Sequence, residues 1–291
     1  MPNVLSEDAP AKVNLTLRVL GRRPDGYHEL QSLVAFARDI GDVLTLDTAQ
    51  PARVTVVGAM ADALTGDNLV EIAVRRIEQA VPTITVGAVS LEKRLPVAAG
   101  VGGGSADAAA LLRIACRAHP VLSAQIDLDD LARRLGADVP VCLFNRPAMM
   151  SGVGERLTAV PFPAPVHAVL VNPMVPVPSD KTARVFRALN APPLQADAPV
   201  DDISQLADLD ALITVMRLRG NDLQSAAISV MPEIERVLAV LSRSPSCLIA
   251  RLSGAGPTCF GLYRTCDEAA TAAALISHQN AKWWVRATTL A

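Results

Sequence analysis

Aromatic side chains are scarce in this 291-residue chain: two Trp, two Tyr and five Phe, or 3% of the residues. So few rings exclude a stacking platform laid along a nucleic-acid strand. A basic excess is also lacking, with 27 Lys plus Arg against 29 Asp plus Glu and a formal net charge of −2. Proteins that hold nucleic acid through its phosphates carry surplus cations. The five cysteines, Cys116, Cys142, Cys247, Cys259 and Cys266, form neither a C-x-x-C pair nor a zinc-ligand spacing. They read as buried free thiols of a reducing cytoplasm. Residues 1–10 carry Glu7 and Asp8 and lack the apolar core of a secretory signal. The uncharged stretch 157–179 spans 23 residues but holds six prolines, which the interior of a membrane-spanning helix does not tolerate. The reading is a cytoplasmic protein without a nucleic-acid or membrane partner, a monomer or weak dimer.

What is present is a globular composition, 51% apolar and 19% charged, at a length that corresponds to roughly two domains. Apolar alternation and β-branched residues predict strands over 13–20, 43–47, 54–57 and 84–91. Asp67 and Asn68 read as an N-cap before a helix over 69–80. Further helices are expected over 107–116 and over 128–135, the latter stopped by Gly136. The prolines of 161–178 mark a hinge, dividing the chain into 1–160 and 161–291. Beyond it, strands over 167–171, 247–252, 259–263 and 283–286 alternate with helices over 180–189, 232–241 and 267–276, and 190–208 reads as a variable loop. That order points to an α+β sandwich with an antiparallel sheet.

The most unusual composition is Pro96-Val97-Ala98-Ala99-Gly100-Val101-Gly102-Gly103-Gly104-Ser105-Ala106, running straight into a helix. Glycines let backbone N–H groups approach a phosphate, and a helix N-terminus adds a favourable dipole. Gly103 in particular is read as needing close approach and a positive φ. A flexible glycine turn is the plain alternative. No Lys-Ser/Thr follows the glycines, so this is not a Walker A loop, and Ser105 stands where a dinucleotide fingerprint needs glycine. A nucleophile elbow at Ser105 would need glycine at Asp107. Ser253-Gly254-Ala255-Gly256-Pro257 is either a β-turn or a second loop closing on the same ligand. Asp138 lies before an apolar run read as a strand and is either a turn residue or a catalytic carboxylate. Lys12 and Asn14 share one strand face, where a lysine is either solvated or functional. Tyr27 and His28 occupy a glycine-started loop, and His28-Glu29 lacks the second histidine of a zinc helix at Ser32.

Three ordered segments, Pro10-Ala-Lys-Val-Asn14, Gly100-Val-Gly-Gly-Gly-Ser-Ala106 and Leu252-Ser-Gly-Ala-Gly256, together resemble the GHMP small-molecule kinases. Arg23-Pro-Asp-Gly-Tyr-His-Glu-Leu-Gln31, Leu135-Gly-Ala-Asp-Val-Pro140 and Arg219-Gly-Asn-Asp-Leu223 resemble one branch of that family, over nearly the whole chain. That branch phosphorylates the 2-hydroxyl of a cytidine diphosphate-linked methylerythritol on the non-mevalonate route to isoprenoid precursors. The resemblance implies a two-domain α+β fold. An N-terminal ribosomal-S5-domain-2-like α/β domain and a C-terminal ferredoxin-like domain would flank the active-site cleft. It implies ATP as phosphoryl donor with Mg²⁺, Lys12 and Asp138 as the catalytic pair, and Pro96 to Ala106 as the ATP phosphate loop. Asn14, Tyr27, His28, Thr182, Phe186, Gly254 and Gly256 are implied to hold the organic substrate. Tyr27 and Phe186, one from each domain, are expected to sandwich its cytosine ring, with His28 at the polar edge. Ala98 and Ala99 replace glycines found in some members, which predicts a stiffer loop. Residues 178–181 depart from the Ser/Thr-rich stretch expected there.

Overall fold

The computed structural model describes residues 3–64, 66, 68–195 and 206–291. Asp67, and residues 196–205 of the expected variable loop, lie outside the described residues. The chain forms two compact units, each assembled from separated segments: 1–11, 41–97 and 102–145 in the first, and 12–40, 98–101 and 146–291 in the second. Strands β1 (Val4–Asn14), β2 (Arg18–Arg22) and β3 (His28–Asp47) open the chain, and β1 and β3 supply residues to both units. The single strand expected over 13–20 is thus two strands, parted at Leu15 to Leu17. The 43–47 strand is the tail of a 20-residue one.

In the first unit, β5 (Ala88–Glu92) pairs antiparallel with the tail of β3 and parallel with β4 (Arg53–Val57). Gly41 lies so close to β1 that a Cβ there would sit 2.5 Å from the Ala9 carbonyl oxygen. Helix α1 (Leu69–Ala80) starts at Asn68, whose side chain accepts from the Val70 N–H at 2.9 Å. Helix α2 (Gly103–Ala118) is central. It packs against α1, α3 (Leu122–Gln125), α4 (Leu128–Leu135) and α5 (Val139–Phe144). Its buried alanines, among them Ala106, Ala108, Ala109, Ala110 and Ala115, let several neighbours approach at once. The apolar run after Asp138 is therefore helix α5, not a strand. Its contacts with α2 override a β-branched, apolar composition.

The second unit is an antiparallel sheet with helices. β3 pairs with β2 and β6 (Ala148–Gly152), and β6 pairs with β7 (Arg156–Ala159). β8 (Val166–Asn172) pairs with β11 (Trp284–Leu290) and β10 (Cys259–Tyr263), and β10 with β9 (Ile249–Leu252). The proline-rich stretch expected as a hinge lies inside this unit and contains β8. Helices α6 (Lys181–Leu189), α7 (Leu209–Arg219), α8 (Gln224–Val230), α9 (Glu233–Arg243) and α10 (Cys266–Gln279) complete it. Val169, Val171, Leu252 and Tyr263 from the sheet meet Val185, Ile234, Val237, Leu241 and Ile276 from the helices in one core. Among the described residues no helix is long and apolar enough to cross a membrane. All five cysteines are free, but only Cys142 and Cys259 are buried, and Cys266 is exposed.

Candidate active site

Every second residue from Ala98 to Gly102 is left-handed, with φ of 55°, 81° and 68° at Ala98, Gly100 and Gly102. Such alternation turns successive N–H groups toward one concave side, a geometry suited to anions. A positive φ at a residue with a Cβ costs about 1–2 kcal/mol, so Ala98 is strained where the two glycines are not. Gly103 has no positive φ, contrary to expectation. It opens α2, and a Cβ there would meet only ordinary contacts, 3.6 Å from Lys93 Nζ and 3.7 Å from Asp42 Oδ2. The helix begins four residues earlier than its composition predicts, so Gly103, Gly104 and Ser105 form its first turn. That turn holds no acidic residue, and Gly104 is exposed. Its N–H groups lack partners within the helix and suit an anion.

In the second unit, residues 98–101 rest on the second glycine segment. The Thr258 N–H donates to the Ala99 carbonyl at 3.0 Å, and Ser253 Oγ donates to the Gly100 carbonyl at 3.0 Å. A Cβ on Gly100 would lie 2.6 Å from the Gly256 carbonyl oxygen. Ser253 to Pro257 is a turn, with Gly254 and Gly256 at φ of 55° and 75°. Asn221 braces it by donating to the Leu252 and Gly254 carbonyls, each at 2.9 Å. Lys12 is 3% exposed, and its backbone N–H donates to Val101 at 2.8 Å. Asn14 is buried beside it. Its backbone N–H donates to Ser253 Oγ at 3.2 Å and its side-chain amide to Ser32 Oγ at 2.7 Å, while its Oδ1 has no partner. The structure thus gathers Lys12, Asn14, the 98–101 segment, Gly254 and Gly256 into one place.

The aromatic arrangement differs from expectation. His28, not Tyr27, stacks on Phe186, with ring centroids 4.7 Å apart and planes inclined at 25°. Both rings belong to the second unit. Tyr27 ends a tight turn, its N–H donating to Asp25 Oδ1 at 3.0 Å, and remains 63% exposed. His28 begins β3, where pairing with Arg22 fixes it on a strand instead of in a loop. Partial burial, followed by the charge of Arg22, pulls the His28 pKa below its ordinary value, which favours the neutral ring. Thr182 lies exposed on α6.

In the first unit Asp138 is half-buried at the N-cap of α5, yet its side chain makes no capping bond. Next to Gly103 lies a cluster that the sequence did not reveal. Lys93 Nζ donates to Asp107 Oδ2 at 2.7 Å and to Asp42 Oδ2, and all three residues are buried. Asp42 Oδ1 also accepts from the N–H groups of Arg94 and Leu95, at 2.6 and 2.9 Å. Asp107 Oδ1 has no partner. Burial, with the Asp42 charge adding to it, pushes the Asp107 carboxyl up to about 8 despite the opposing Lys93 ammonium. Burial works against the Lys93 charge, but Asp107 and Asp42 outweigh it and raise its pKa. Among the described residues no group of three or more His, Cys, Asp or Glu side chains could hold a metal ion.

Residues 68–146 match the family of GHMP kinases N terminal domain, and residues 200–281 match GHMP kinases C terminal. A protein of Methylobacterium radiotolerans named 4-diphosphocytidyl-2-C-methyl-D-erythritol kinase is 47% identical over 292 residues, 99% of each chain. One of the same name from Rhodopseudomonas palustris is 44% identical over 295 residues, 98% of this chain and 97% of the relative. The chain belongs to the 4-diphosphocytidyl-2-C-methyl-D-erythritol kinase family. A crystal structure of 4-(cytidine 5'-diphospho)-2C-methyl-D-erythritol kinase superposes with a TM-score of 0.77 at 34% identity, covering 98% of this chain and 99% of the other. The two-domain α+β fold of the GHMP kinases follows from these matches. Motif reading gave no role to Asp42, Lys93, Lys181, Asn221 or Ser253: Lys181 and Asn221 bond the glycine segments from outside, Ser253 does so from within one of them, and Asp42 and Lys93 lie beside Gly103. Only the polar serine and asparagine beside glycine gave a signal, inside stretches already noted for other reasons.

Proposed function

We propose that this chain transfers the γ-phosphoryl group of ATP to the free 2-hydroxyl of 4-diphosphocytidyl-2-C-methyl-D-erythritol, on the non-mevalonate route to isoprenoid precursors. The observation that carries this reading is the left-handed alternation from Ala98 to Gly102, leading into the open first turn of α2. It is a cradle for phosphate oxygens in a chain whose relatives bear that kinase's name. ATP, accompanied by Mg²⁺ held through its phosphates, supplies the phosphoryl group and neutralises charge when bound. The segment Pro96 to Ala106 receives the triphosphate, the backbone N–H groups of its glycines donating to the phosphate oxygens.

Asp138 accepts or orients the hydroxyl proton, a role typically worth about 10²–10⁴ in rate. Lys12 stabilises the negative charge on the reacting oxygen. A half-buried Asp138 that does not cap its own helix, and a buried Lys12 tied to the loop through Val101, support the two assignments. Phe186 and His28 form an aromatic shelf for the cytosine ring, and exposed Tyr27 is a second ring free to turn onto it. A neutral His28 is suited to hydrogen-bonding a base edge. Asn14, Thr182, Gly254 and Gly256 hold the remainder of the substrate. The family matches fall on either side of residue 160 and support a division of the sequence at 1–160 and 161–291, while residues 12–40, 98–101 and 146–160 pack with the second unit. The protein works in the cytoplasm as a monomer or weak dimer, without nucleic acid or membrane.

An ADP-release assay with the cytidine-linked methylerythritol, mevalonate and homoserine tests this reading. Turnover is expected with the first substrate alone. Comparable kcat/KM for mevalonate or homoserine would overturn the substrate. Lys12→Met and Asp138→Asn are each expected to lose about 100-fold or more in kcat with unchanged melting. A variant that keeps more than about a tenth of wild-type turnover removes that residue's assignment.

A further inference from the structure

Ala98 carries a left-handed φ of 55° with no polar side chain of its own to support it. The support comes from another element. Lys181, the first residue of α6, is 6% exposed, and its Nζ donates to the Ala98 carbonyl at 3.2 Å and to the Gly256 carbonyl. The Gly256 oxygen is also the atom that a Cβ on Gly100 would strike. One buried ammonium therefore sits on the carbonyls of both glycine segments, where the two backbones touch. An ammonium is taken out of water only where hydrogen bonds replace the water, so these acceptors must stay in place while Lys181 stays buried. All the residues involved belong to the second unit.

We propose that Lys181 is a positioning residue of the nucleotide loop: it holds Ala98 in its left-handed conformation and ties 98–100 to the 253–258 turn, so that the loop is shaped before nucleotide arrives. Its consequence for ATP rests on the phosphate-loop reading given above. The tie itself does not.

Lys181→Met keeps the length of the stem and removes the donors. It is expected to raise the KM for ATP about tenfold, the size of one charge-assisted hydrogen bond, with kcat within about twofold and little change in KM for the cytidine substrate. In the nucleotide-free protein, hydrogen exchange should quicken at Thr258 and Lys12, whose N–H groups donate to Ala99 and Val101. Glycine at position 98 removes the strain that Lys181 offsets. The double variant Ala98→Gly/Lys181→Met should therefore recover most of the lost ATP affinity and exchange protection, which a merely structural lysine would not allow. Unchanged exchange in Lys181→Met overturns the proposal. So does a raised KM that Ala98→Gly fails to recover, which would mark a direct charge effect on the nucleotide. Faster exchange with unchanged KM for ATP upholds the tie and instead defeats the phosphate-loop reading. Should Lys181→Met not fold, Lys181→Gln, shorter and neutral, carries the same comparison with the same expected directions.

Discussion

Two lysines, Lys93 in the first unit and Lys181 in the second, are buried beside glycine-rich backbone, at 3% and 6% exposure. Lys93 lies between two carboxylates, Asp42 and Asp107. Lys181 donates to two backbone carbonyls, of Ala98 and Gly256. Carboxylates are themselves costly to bury, and their charge depends on pH. Carbonyls carry no net charge and do not titrate. The first arrangement makes a cluster whose members need one another. The second lets a single side chain dictate the shape of the chain it touches. Proximity to a glycine segment alone therefore says little about a buried cation; the nature of its acceptors decides whether it governs charge or conformation.

The sharpest way to break this comparison is to delete each cation. Lys93→Met leaves the buried Asp42 carboxylate without its counter-ion and Asp107 without its donor, and a loss of about 3–5 kcal/mol is expected from urea midpoints at neutral pH. Lys181→Met leaves only neutral carbonyls short of a donor, at about 1–3 kcal/mol. Equal losses would erase the distinction. The glycines beside the two lysines offer a second contrast. Gly100→Ala places a Cβ against the Gly256 carbonyl at a φ of 81° and should cost about 1–3 kcal/mol. Gly103→Ala, beside Lys93 on a helix turn with ordinary contacts, should stay within about 0.5 kcal/mol of wild type.

A further contrast is pH dependence. Because the Asp107 carboxyl is pushed up to about 8 in the folded protein, the folded chain holds that proton more tightly than the unfolded chain. The stability it contributes is complete below the ordinary carboxylate range and is lost as pH rises to about 8. Midpoints measured across this window should fall less steeply in Asp107→Asn than in wild type. Identical slopes would mean that Asp107 is ionised throughout and that the Lys93 cluster titrates no more than the Lys181 contacts do.

Local chemistry explains which parts of the fold were legible in the sequence. The helices over 69–80 and 128–135 are found as read, because Asn68 and Asp127 cap them and Gly136 follows the second. The start of α2 was hidden because glycine reads as a helix breaker, although a first turn needs little propensity when its N–H groups face outward. Most of β3 escaped because Gln31 to Ala37 are buried without alternation, so period two gives no signal. The strands over 148–152 and 156–159, and the helices over 209–219 and 224–230, were not assigned at all. In the site, the glycine segments stood out by composition. The Lys93 cluster could not, since its carboxylates lie 51 and 14 residues from the lysine along the chain and only the fold joins them. Lys181 drew no reading of its own inside the helix expected over 180–189, because nothing local announces a carbonyl 83 residues away.

The segmented make-up of the two units also orders events at the ribosome. Every segment of the first unit lies within residues 1–145 and can close while synthesis continues. Residues 12–40 emerge in the same interval but belong to the second unit, and the pairing of Ala37 with Leu290 waits for the last strand. At typical elongation rates of about 5–20 residues per second, the second half of the chain takes roughly 7–30 s to appear. For that time β2 and the front of β3 have each other and, from residue 152 on, β6, but the second-unit core that covers Leu17, Val19 and Leu30 is still unmade. This nascent stretch, not the completed enzyme, is where chaperone binding or aggregation during expression has its opening.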